Sequence, residues 1–421
     1  MVLLSKITRL LGLVAVASSI PFQPKTHIFP YWPESYIALG DSYAAGIGAG
    51  HYVNSENNSE ARRCRRFDGS YPVQVKGLLK SIHHFDFVAC TGNTLADLED
   101  QYDKLGDKRA DLITLSVSGN DFHFEEVIES CIYNVNWKGI FQSDSEKDKA
   151  CDHALKNTTD LVDGGKRADG KSVWTRYEEA VDRIVSERLS ITNPSILIIT
   201  GYAQFFATPE VKNDTCHLKR FPTMPGFPVN ILRREVRQEM NELVVKVNNQ
   251  IRTRIASRHP EYITFLDIDD PFRKHRFCEP NEKSLVPGGV YDDTTEVYFI
   301  SLKTTLDESS LVAGGDRNQT NEIVRSQERP RSDEFDADVL SSDLNTLYSG
   351  LHKSSVFHPK AQGHSLTAKN IKKIVLDRWE DDLRNIDSQV YLSMKQACGS
   401  VLRLCRWWGF RIACPNTSYM T

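Results

Sequence analysis

The stretch that decides the fold runs from Ala38 to Gly46 and reads Ala-Leu-Gly-Asp-Ser-Tyr-Ala-Ala-Gly. It follows a short apolar run that starts at Tyr36, and it leads into small residues that can begin a helix. Gly40 lets the backbone bend there without a side-chain clash. A serine on such a strand-to-helix turn exposes its hydroxyl, and the N–H groups after it face any developing oxyanion. Ser42 is therefore a candidate nucleophile, and a turn that only caps a helix is the alternative.

Apolar segments further along the chain predict four more strands after Tyr36–Leu39. They are His84–Cys90, Asp111–Val117, Ser195–Thr200 and Ile263–Ile268. These short strands are separated by helical patterns or by segments long enough for a crossover connection. This alternation is typical of a five-stranded parallel, doubly wound α/β sheet with helices on both faces. Ligands in such sheets bind beyond the carboxyl ends of the strands. Four residues lie just past a predicted strand end and therefore predict a site: Ser42, Gly92, Asn120 and Tyr202.

Helical periodicity predicts the elements between and after the strands. The predicted helices cover residues 71–81, 95–105, 122–133, 174–189, 229–257 and 361–386. Polar composition predicts loop insertions at 134–172 and 213–228. Residues 304–342 are rich in charged and small polar residues and predict a long exposed insertion. The catalytic domain is expected to span 34–386, followed by a Cys- and aromatic-rich tail at 387–421.

The composition is that of a globular protein with a substantial core. The chain has 421 residues, of which 40% are hydrophobic and 26% are charged, and its net charge is -4. No basic cluster is interleaved with aromatic residues, so a nucleic-acid partner is not expected. No C-x-x-C pair is present, so a zinc site is not expected, and no metal or organic cofactor is implied.

The N-terminus predicts export from the cell. Lys6 and Arg9 precede an apolar run from Leu10 to Ala17, and the run ends in small residues that suit a cleavage site. Residues 1–17 are therefore predicted to be a secretory signal peptide, with an uncleaved anchor as the alternative. Five N-x-S/T sequons fit a glycosylated, secreted protein, at Asn57, Asn157, Asn213, Asn318 and Asn416.

The nine cysteines agree with an oxidising compartment. Six of them lie at intervals compatible with three local disulfides, Cys64–Cys90, Cys131–Cys151 and Cys216–Cys278. Intervals alone do not establish this pairing, because six cysteines allow fifteen connectivities. The other three, Cys398, Cys405 and Cys414, lie in the tail. The tail is expected to pack on the domain or to offer an apolar surface to lipid or a partner.

A serine nucleophile needs a base, and His358 is the best candidate. Phe357 and Pro359 hold it in a stiff extended segment just before a helix. His364, inside that helix, is interpreted as a structural or surface histidine. A tetrahedral intermediate also needs an oxyanion hole, for which the strand ends offer the Ser42 N–H, the Gly92 N–H and the Asn120 amide.

These residues carry a resemblance. Gly40-Asp41-Ser42, Gly92, Gly119-Asn120-Asp121 and His358 occur in order and resemble the sequence blocks of the GDSL/SGNH hydrolase family, over roughly residues 36–386. The resemblance implies a flavodoxin-like sheet and hydrolysis of carboxylic esters through an acyl-serine. It also implies that Ser42 is the nucleophile, His358 the base, and Ser42, Gly92 and Asn120 the oxyanion hole.

One position departs from the family pattern. The family usually has Asp three residues before the histidine, where this chain has Ser355. The three proposed disulfides are similar to a secreted subgroup in which a main-chain carbonyl orients the histidine. We therefore expect a Ser–His dyad oriented by the Ser355 carbonyl, with less stabilisation of the imidazolium than an aspartate gives. A remote carboxylate from Asp269 or Asp270 is the alternative.

The leading hypothesis is a secreted, monomeric serine esterase or lipase that makes transient contact with a lipid surface. Lipid esters, small esters and acetylated carbohydrates all remain open as substrates, and the aromatic tail favours lipid. The alternative from another class is a secreted, non-catalytic binding protein that keeps the hydrolase fold, because a fold does not determine function.

Overall fold

A computed structural model describes residues 33–53, 59–133, 144–208, 216, 233–279, 297–300 and 355–385. The predicted signal peptide, the insertion at 304–342 and the tail at 387–421 lie outside the described residues. The chain divides into two compact units. Pro33–Val375 form one unit, and Met1–Trp32 with Leu376–Thr421 form the other, whose described part is the end of the last helix, 376–385.

Five parallel strands form the sheet of the larger unit, as the apolar segments predict. The strands are β1 (Ser35–Gly40), β2 (His84–Phe87), β3 (Leu112–Ser116), β4 (Ile196–Thr200) and β5 (Ile263–Leu266). Their order is β2-β1-β3-β4-β5. The doubly wound α/β class is therefore confirmed. The chain direction across the sheet reverses between β1 and β3, and such switch points open a crevice at the carboxyl ends of the strands.

Burial follows position in the sheet. Every residue of β3 and β4 is buried, whereas the edge strands β2 and β5 are partly exposed. Central parallel strands are covered on both faces by helices, so they need continuous apolar sequence. The most buried large side chains include Trp174, Tyr177 and Phe122, which pack together beside the sheet.

The helices connect and cover the strands. Their bounds are α1 (Ser42–Ala45), α2 (Ser59–Arg63), α3 (Tyr71–Leu78), α4 (Leu98–Leu105), α5 (Phe124–Ile128), α6 (Asp144–Val162), α7 (Val173–Glu187), α8 (Arg234–Gln250), α9 (Asp269–Phe272) and α10 (Ala361–Asn385). A π-helical turn, Glu129–Tyr133, continues α5, and another, Ile251–Ile255, continues α8. None of the helices in the described ranges combines the length and the hydropathy needed to span a membrane.

The segment 134–172 differs from its sequence prediction as a polar loop insertion. It contains the 19-residue helix α6. Its charged residues hide the helix from a periodicity search, and the Cys131–Cys151 disulfide joins it to the middle of the π-helical turn after α5. The other two disulfides are Cys64–Cys90 and Cys216–Cys278, so the structure has the three pairings that the sequence suggested.

Candidate active site

Ser42 lies at the first position of α1, immediately after β1. The turn is tight because Gly40 has φ +135°, and a Cβ on this residue would lie 2.1 Å from the Ser116 carbonyl oxygen. Only glycine accommodates that approach. The Gln101 side-chain amide fixes the same peptide from the other side, since it accepts from Gly40 N–H (3.0 Å) and donates to Gly40 O (2.8 Å). Sequence reasoning did not single out Gln101.

His358 lies within hydrogen-bond distance of the serine. Its Nε2 atom is 2.6 Å from Ser42 Oγ, although 316 residues separate the two along the chain. In the tautomer that accepts the serine proton at Nε2, the other ring nitrogen carries the hydrogen. That Nδ1 atom is 3.1 Å from the Val356 carbonyl oxygen, which accepts its proton. The pair has the geometry of a nucleophile and its general base.

Two main-chain carbonyls lie against His358. The Val356 carbonyl accepts from ring Nδ1 at 3.1 Å, a partner that sequence reasoning did not name. The Ser355 carbonyl accepts from the backbone N–H of His358 at 3.0 Å, and both carbonyls raise the pKa of the imidazole. The turn allows this arrangement because Phe357 adopts a left-handed φ of +64°, which lets the chain fold the Val356 carbonyl toward the ring.

The carboxylates considered as substitutes are engaged elsewhere. Asp269 accepts from the backbone N–H and the side-chain amide of Gln204, and it pairs with Arg276 at 2.7 Å. Asp270 pairs with Arg273 at 2.8 Å. Neither has a hydrogen bond to His358 within the described residues. The histidine is therefore oriented by neutral carbonyls.

Burial dominates the electrostatics of His358. Desolvation lowers the pKa of its imidazole to about 4, against the opposing effect of the two carbonyls. The ring is consequently neutral at physiological pH and can accept a proton from Ser42. His364, in α10, is buried, and desolvation lowers its pKa to about 3, so it is a structural histidine.

The histidine turn is held in place by packing and by hydrogen bonds. The Tyr43 hydroxyl donates to the Phe357 carbonyl at 2.9 Å, and the Tyr43 ring lies 4.9 Å from the imidazole. The backbone of Ile300 pairs with the turn on both sides, since Phe357 N–H donates to its carbonyl and its own N–H donates to His358 O. Three further rings pack around Phe357 at 5.0–5.6 Å, those of Phe205, Phe206 and Phe277.

The three predicted oxyanion donors line one cavity with Ser42 and His358. In the described part of the chain, no hydrogen bond uses the N–H of Ser42 or of Gly92, so both are open to a ligand. The Asn120 amide donates to the Asn93 carbonyl at 2.8 Å, which positions the side chain. Gly92 has φ +86°, a conformation that favours glycine.

Asp41 links the two turns that carry the nucleophile and the asparagine. Its carboxylate accepts from Tyr43 N–H at 3.0 Å and caps α1, while the Tyr202 hydroxyl lies 3.5 Å from its second oxygen. That hydroxyl accepts from Gly119 N–H at 2.9 Å. Burial raises the pKa of Asp41 to about 7, partly opposed by the Tyr43 N–H. Sequence reasoning named Asp41 only as part of the Gly40-Asp41-Ser42 block, and no local pattern reveals its contact with Tyr202.

The cavity has a volume of about 410 Å³. Apolar side chains from three parts of the chain line its interior, among them Phe124, Ile128, Phe205 and Val244. Ionisable side chains line it as well, among them Asp41, Arg63, Arg65, Glu125 and Glu129. A mostly apolar cleft with a few convergent polar groups is the usual form of a small-molecule site. Within the described residues, no cluster of His, Cys, Asp and Glu is suited to hold a metal ion.

Comparison with known proteins agrees with this geometry. The model of the GDSL-like Lipase/Acylhydrolase family matches residues 38–290, which is more than half of the chain. The chain belongs to this family. Ser42, Gly92 and Asn120 fall inside the matched range, and His358 lies after it. The resemblance drawn from the short sequence blocks is therefore confirmed at the level of the family.

Individual relatives match over shorter stretches. Lipase 1 of Streptomyces coelicolor is 34% identical over 104 residues, which is 24% of this chain and 36% of that lipase. A lipase of Streptomyces rimosus is 33% identical over 99 residues, 23% of this chain and 34% of the relative. The matched region thus spans about a third of the length of these relatives.

Solved structures align over longer ranges at lower identity. The extracellular lipase from Streptomyces rimosus is 18% identical to this chain. The alignment covers 80% of this chain and 98% of the lipase, with a TM-score of 0.47. Phospholipase A1 from Streptomyces albidoflavus is 20% identical to this chain. The alignment covers 81% of this chain and 99% of the phospholipase, with a TM-score of 0.49.

Proposed function

We propose that the protein is a serine esterase that hydrolyses carboxylic esters, with lipid esters as the main class. The observation that supports this most is the 2.6 Å approach of His358 Nε2 to Ser42 Oγ beside an apolar cavity. A binding protein that only retained the fold would have no need of a neutral, buried base bonded to a serine that lines the cavity. The apolar lining favours an acyl chain over an acetyl group on a sugar.

The chemistry follows from the positions of these groups. Ser42 Oγ attacks the ester carbonyl carbon as its proton passes to His358 Nε2. The carbonyl oxygen gains negative charge and accepts from the N–H groups of Ser42 and Gly92 and from the Asn120 amide. When the intermediate collapses, the C–O bond to the alcohol breaks and the alcohol takes the proton from His358. The acyl group stays on Ser42.

The second half of the cycle returns the enzyme to its resting state. Water gives a proton to His358 Nε2 and attacks the acyl carbon, and the second tetrahedral intermediate uses the same three donors. Collapse breaks the bond to Ser42 Oγ, which recovers the proton, and the carboxylic acid leaves. The Val356 carbonyl holds the ring in the required tautomer throughout. It stabilises the transient imidazolium less than a carboxylate does.

The experiment is turnover of a short-chain chromogenic ester by the Ser42→Ala variant. We expect kcat/KM to fall by at least about three orders of magnitude, because the nucleophile is lost while binding remains. Circular dichroism and thermal unfolding should match the wild type. A fluorophosphonate probe should label wild-type Ser42 and leave the variant unlabelled. Unchanged turnover in the variant, or an unreactive serine in the wild type, would favour the non-catalytic binding protein.

We also propose that the protein is secreted through the signal peptide at 1–17. The three disulfides support an oxidising compartment, in which such bonds persist. Expression in a eukaryotic secretory host should give a mature N-terminus close to residue 18 and glycan mass at some of the five sequons. Retention of residues 1–17 on the cell-associated protein would instead indicate an anchor.

A further inference from the structure

The arginine run Arg62-Arg63-Cys64-Arg65-Arg66 is the most basic feature of the sequence, and the proposed reaction does not use it. In the structure its members have separate roles. Arg66 is buried, donates from Nε to the Ala89 carbonyl at 2.8 Å, and pairs with Glu60 at 2.9 Å. Arg63 and Arg65 line the catalytic cavity, whereas Arg62 does not.

The run is fixed to one side of the oxyanion site. Cys64, at its centre, forms the disulfide with Cys90, two residues before Gly92. Thr91 N–H donates to the Cys64 carbonyl at 3.0 Å, which joins the two segments a second time. The cavity-lining arginines are therefore carried by a segment that is bonded directly to the Gly92 turn. Their position relative to a reacting ester is set by the fold.

We propose that Arg63 and Arg65 bind an anionic group on the ester substrate, so that the enzyme prefers esters that carry a phosphate or carboxylate near the scissile bond. This inference rests on the proposed function. A guanidinium suits both anions because its N–H fork matches their oxygen atoms. The apolar lining from Phe124, Ile128 and Val244 takes the hydrocarbon part, so the substrate class is an anionic amphiphile.

Three carboxyl side chains in the same lining limit where the anion can bind, and one of them, Asp41, is buried beside Ser42. Glu125 and Glu129 lie on α5 and the π-helical turn that continues it, in the segment after Asn120. The cations, by contrast, lie on the segment bonded to Gly92. An anion held by Arg63 and Arg65 would share the cavity with these carboxylates, so removal of a carboxylate should strengthen its binding. Removal of the arginines should weaken binding of the anion, and removal of a carboxylate should strengthen it.

The test compares two esters with the same acyl chain, one with a neutral alcohol and one with an anionic alcohol. The measured quantity is the ratio of kcat/KM for the anionic ester to that for the neutral ester. In the Arg63→Gln/Arg65→Gln double variant we expect this ratio to fall on the order of tenfold, because partly exposed charged hydrogen bonds are lost. The effect should appear in KM and should shrink at high salt.

Arg62→Gln is the matched control, since it removes one charge from the same run without touching the cavity lining. It should leave the ratio unchanged, and Glu125→Gln should raise it. A ratio that does not move in the double variant, or that moves as much in Arg62→Gln, would overturn the proposal. So would a fall of the ratio in Glu125→Gln.

Two further arms separate the possible sources of the anion. A phospholipid in mixed micelles and a water-soluble phosphate-bearing ester offer the same charge in a lipid surface and in solution. An effect of the arginines on both identifies recognition of the anion itself, and an effect on micelles alone would overturn it in favour of attraction to the surface. Ser42→Ala should abolish every reaction, so failure of the proposed function is distinguishable from failure of this inference.

Discussion

His358, the proposed general base, has a pKa that is set by its surroundings. Burial lowers the pKa of the imidazole to about 4, and among the described residues the carbonyls of Val356 and Ser355 raise it. A catalytic aspartate would add a full negative charge and raise the pKa further. The residue therefore stays neutral, and competent to accept a proton, over a wide acidic range.

This environment predicts the acid limb of the pH profile. A base is active when it is unprotonated, so kcat/KM should be retained as pH falls and should be lost only near pH 4. An ordinary histidine would lose activity near pH 6.5. The measurement is kcat/KM for a soluble neutral ester across the acidic range. Circular dichroism at each pH separates titration from unfolding, and a midpoint near 6.5 would contradict the role of desolvation.

The raised pKa of Asp41 predicts that the stability of the protein depends on pH. This effect is separate from the protonation of His358. Burial raises the pKa of Asp41 from 3.8 to about 7, so the folded protein keeps the proton that the unfolded chain releases. As pH rises from about 4 to about 7, Asp41 ionises in the unfolded chain but stays protonated in the folded protein. The free energy of unfolding therefore falls progressively over this range. The effect is on the order of a few kcal/mol.

Asp41→Asn tests this because the amide does not ionise and still offers an oxygen to Tyr43 N–H. The free energy of unfolding of the variant minus that of the wild type should be larger at pH 8 than at pH 5. The increase should be about 1–3 kcal/mol, given the shift in the pKa of Asp41. Urea unfolding of both proteins at the two pH values gives the difference. Equal differences at both pH values would show that Asp41 is ionised in the folded protein throughout.

At the level of elements, the sequence is most informative where one physical requirement dominates. Strands β3 and β4 are covered on both faces, so they need unbroken apolar sequence, and both were predicted within two residues at each end. Helix α6 was missed because its residues are largely polar and a disulfide helps to hold it. Periodicity has little signal for a helix of that kind.

The same limit applies to the candidate site. Ser42, Gly92, Asn120 and His358 could be proposed because they occur in an ordered set of short blocks. The Val356 carbonyl could not, because it depends on the left-handed φ of Phe357, which no residue type at that position indicates. The link from Asp41 through Tyr202 to Gly119 also depends on tertiary packing.

The Cys64–Cys90 disulfide connects α2 to the turn that carries Gly92, so its loss should affect catalysis as well as stability. In the double variant Cys64→Ser/Cys90→Ser we expect kcat to fall about tenfold or more, because a loose Gly92 turn places the oxyanion donor poorly. The unfolding free energy should fall by about 2–4 kcal/mol.

Cys131→Ser/Cys151→Ser is the matched control. Its disulfide closes a loop of similar length, with a separation of 20 residues against 26, and joins α6 to the π-helical turn after α5 rather than to the Gly92 turn. Both double variants should lose similar stability, while kcat for a soluble ester should fall mainly in the first. An equal loss of kcat in the two would assign the effect to general destabilisation. The measurements are urea unfolding and steady-state kinetics on the same preparations.

At the scale of the whole molecule, the site is assembled from distant parts of the chain. Ser42 lies just after the first strand, and His358 lies just before α10, 316 residues later along the chain. The histidine turn is pinned by Ile300, whose backbone pairs with both Phe357 and His358. The described residues on either side of 301–354 are therefore held together by these hydrogen bonds.

This closure predicts that the charged segment 304–342 can be removed. Replacing it with a short Gly/Ser linker leaves the Ile300 and Phe357 pairing in place, and a shorter loop costs less entropy to close. We expect kcat/KM for a soluble ester to stay within about threefold of wild type and the unfolding free energy to stay within about 1 kcal/mol. Fluorophosphonate labelling of Ser42 in the shortened chain, with Ser42→Ala as its control, reports an intact dyad. Loss of labelling in a shortened chain that still unfolds cooperatively would show that this segment contributes to the catalytic site.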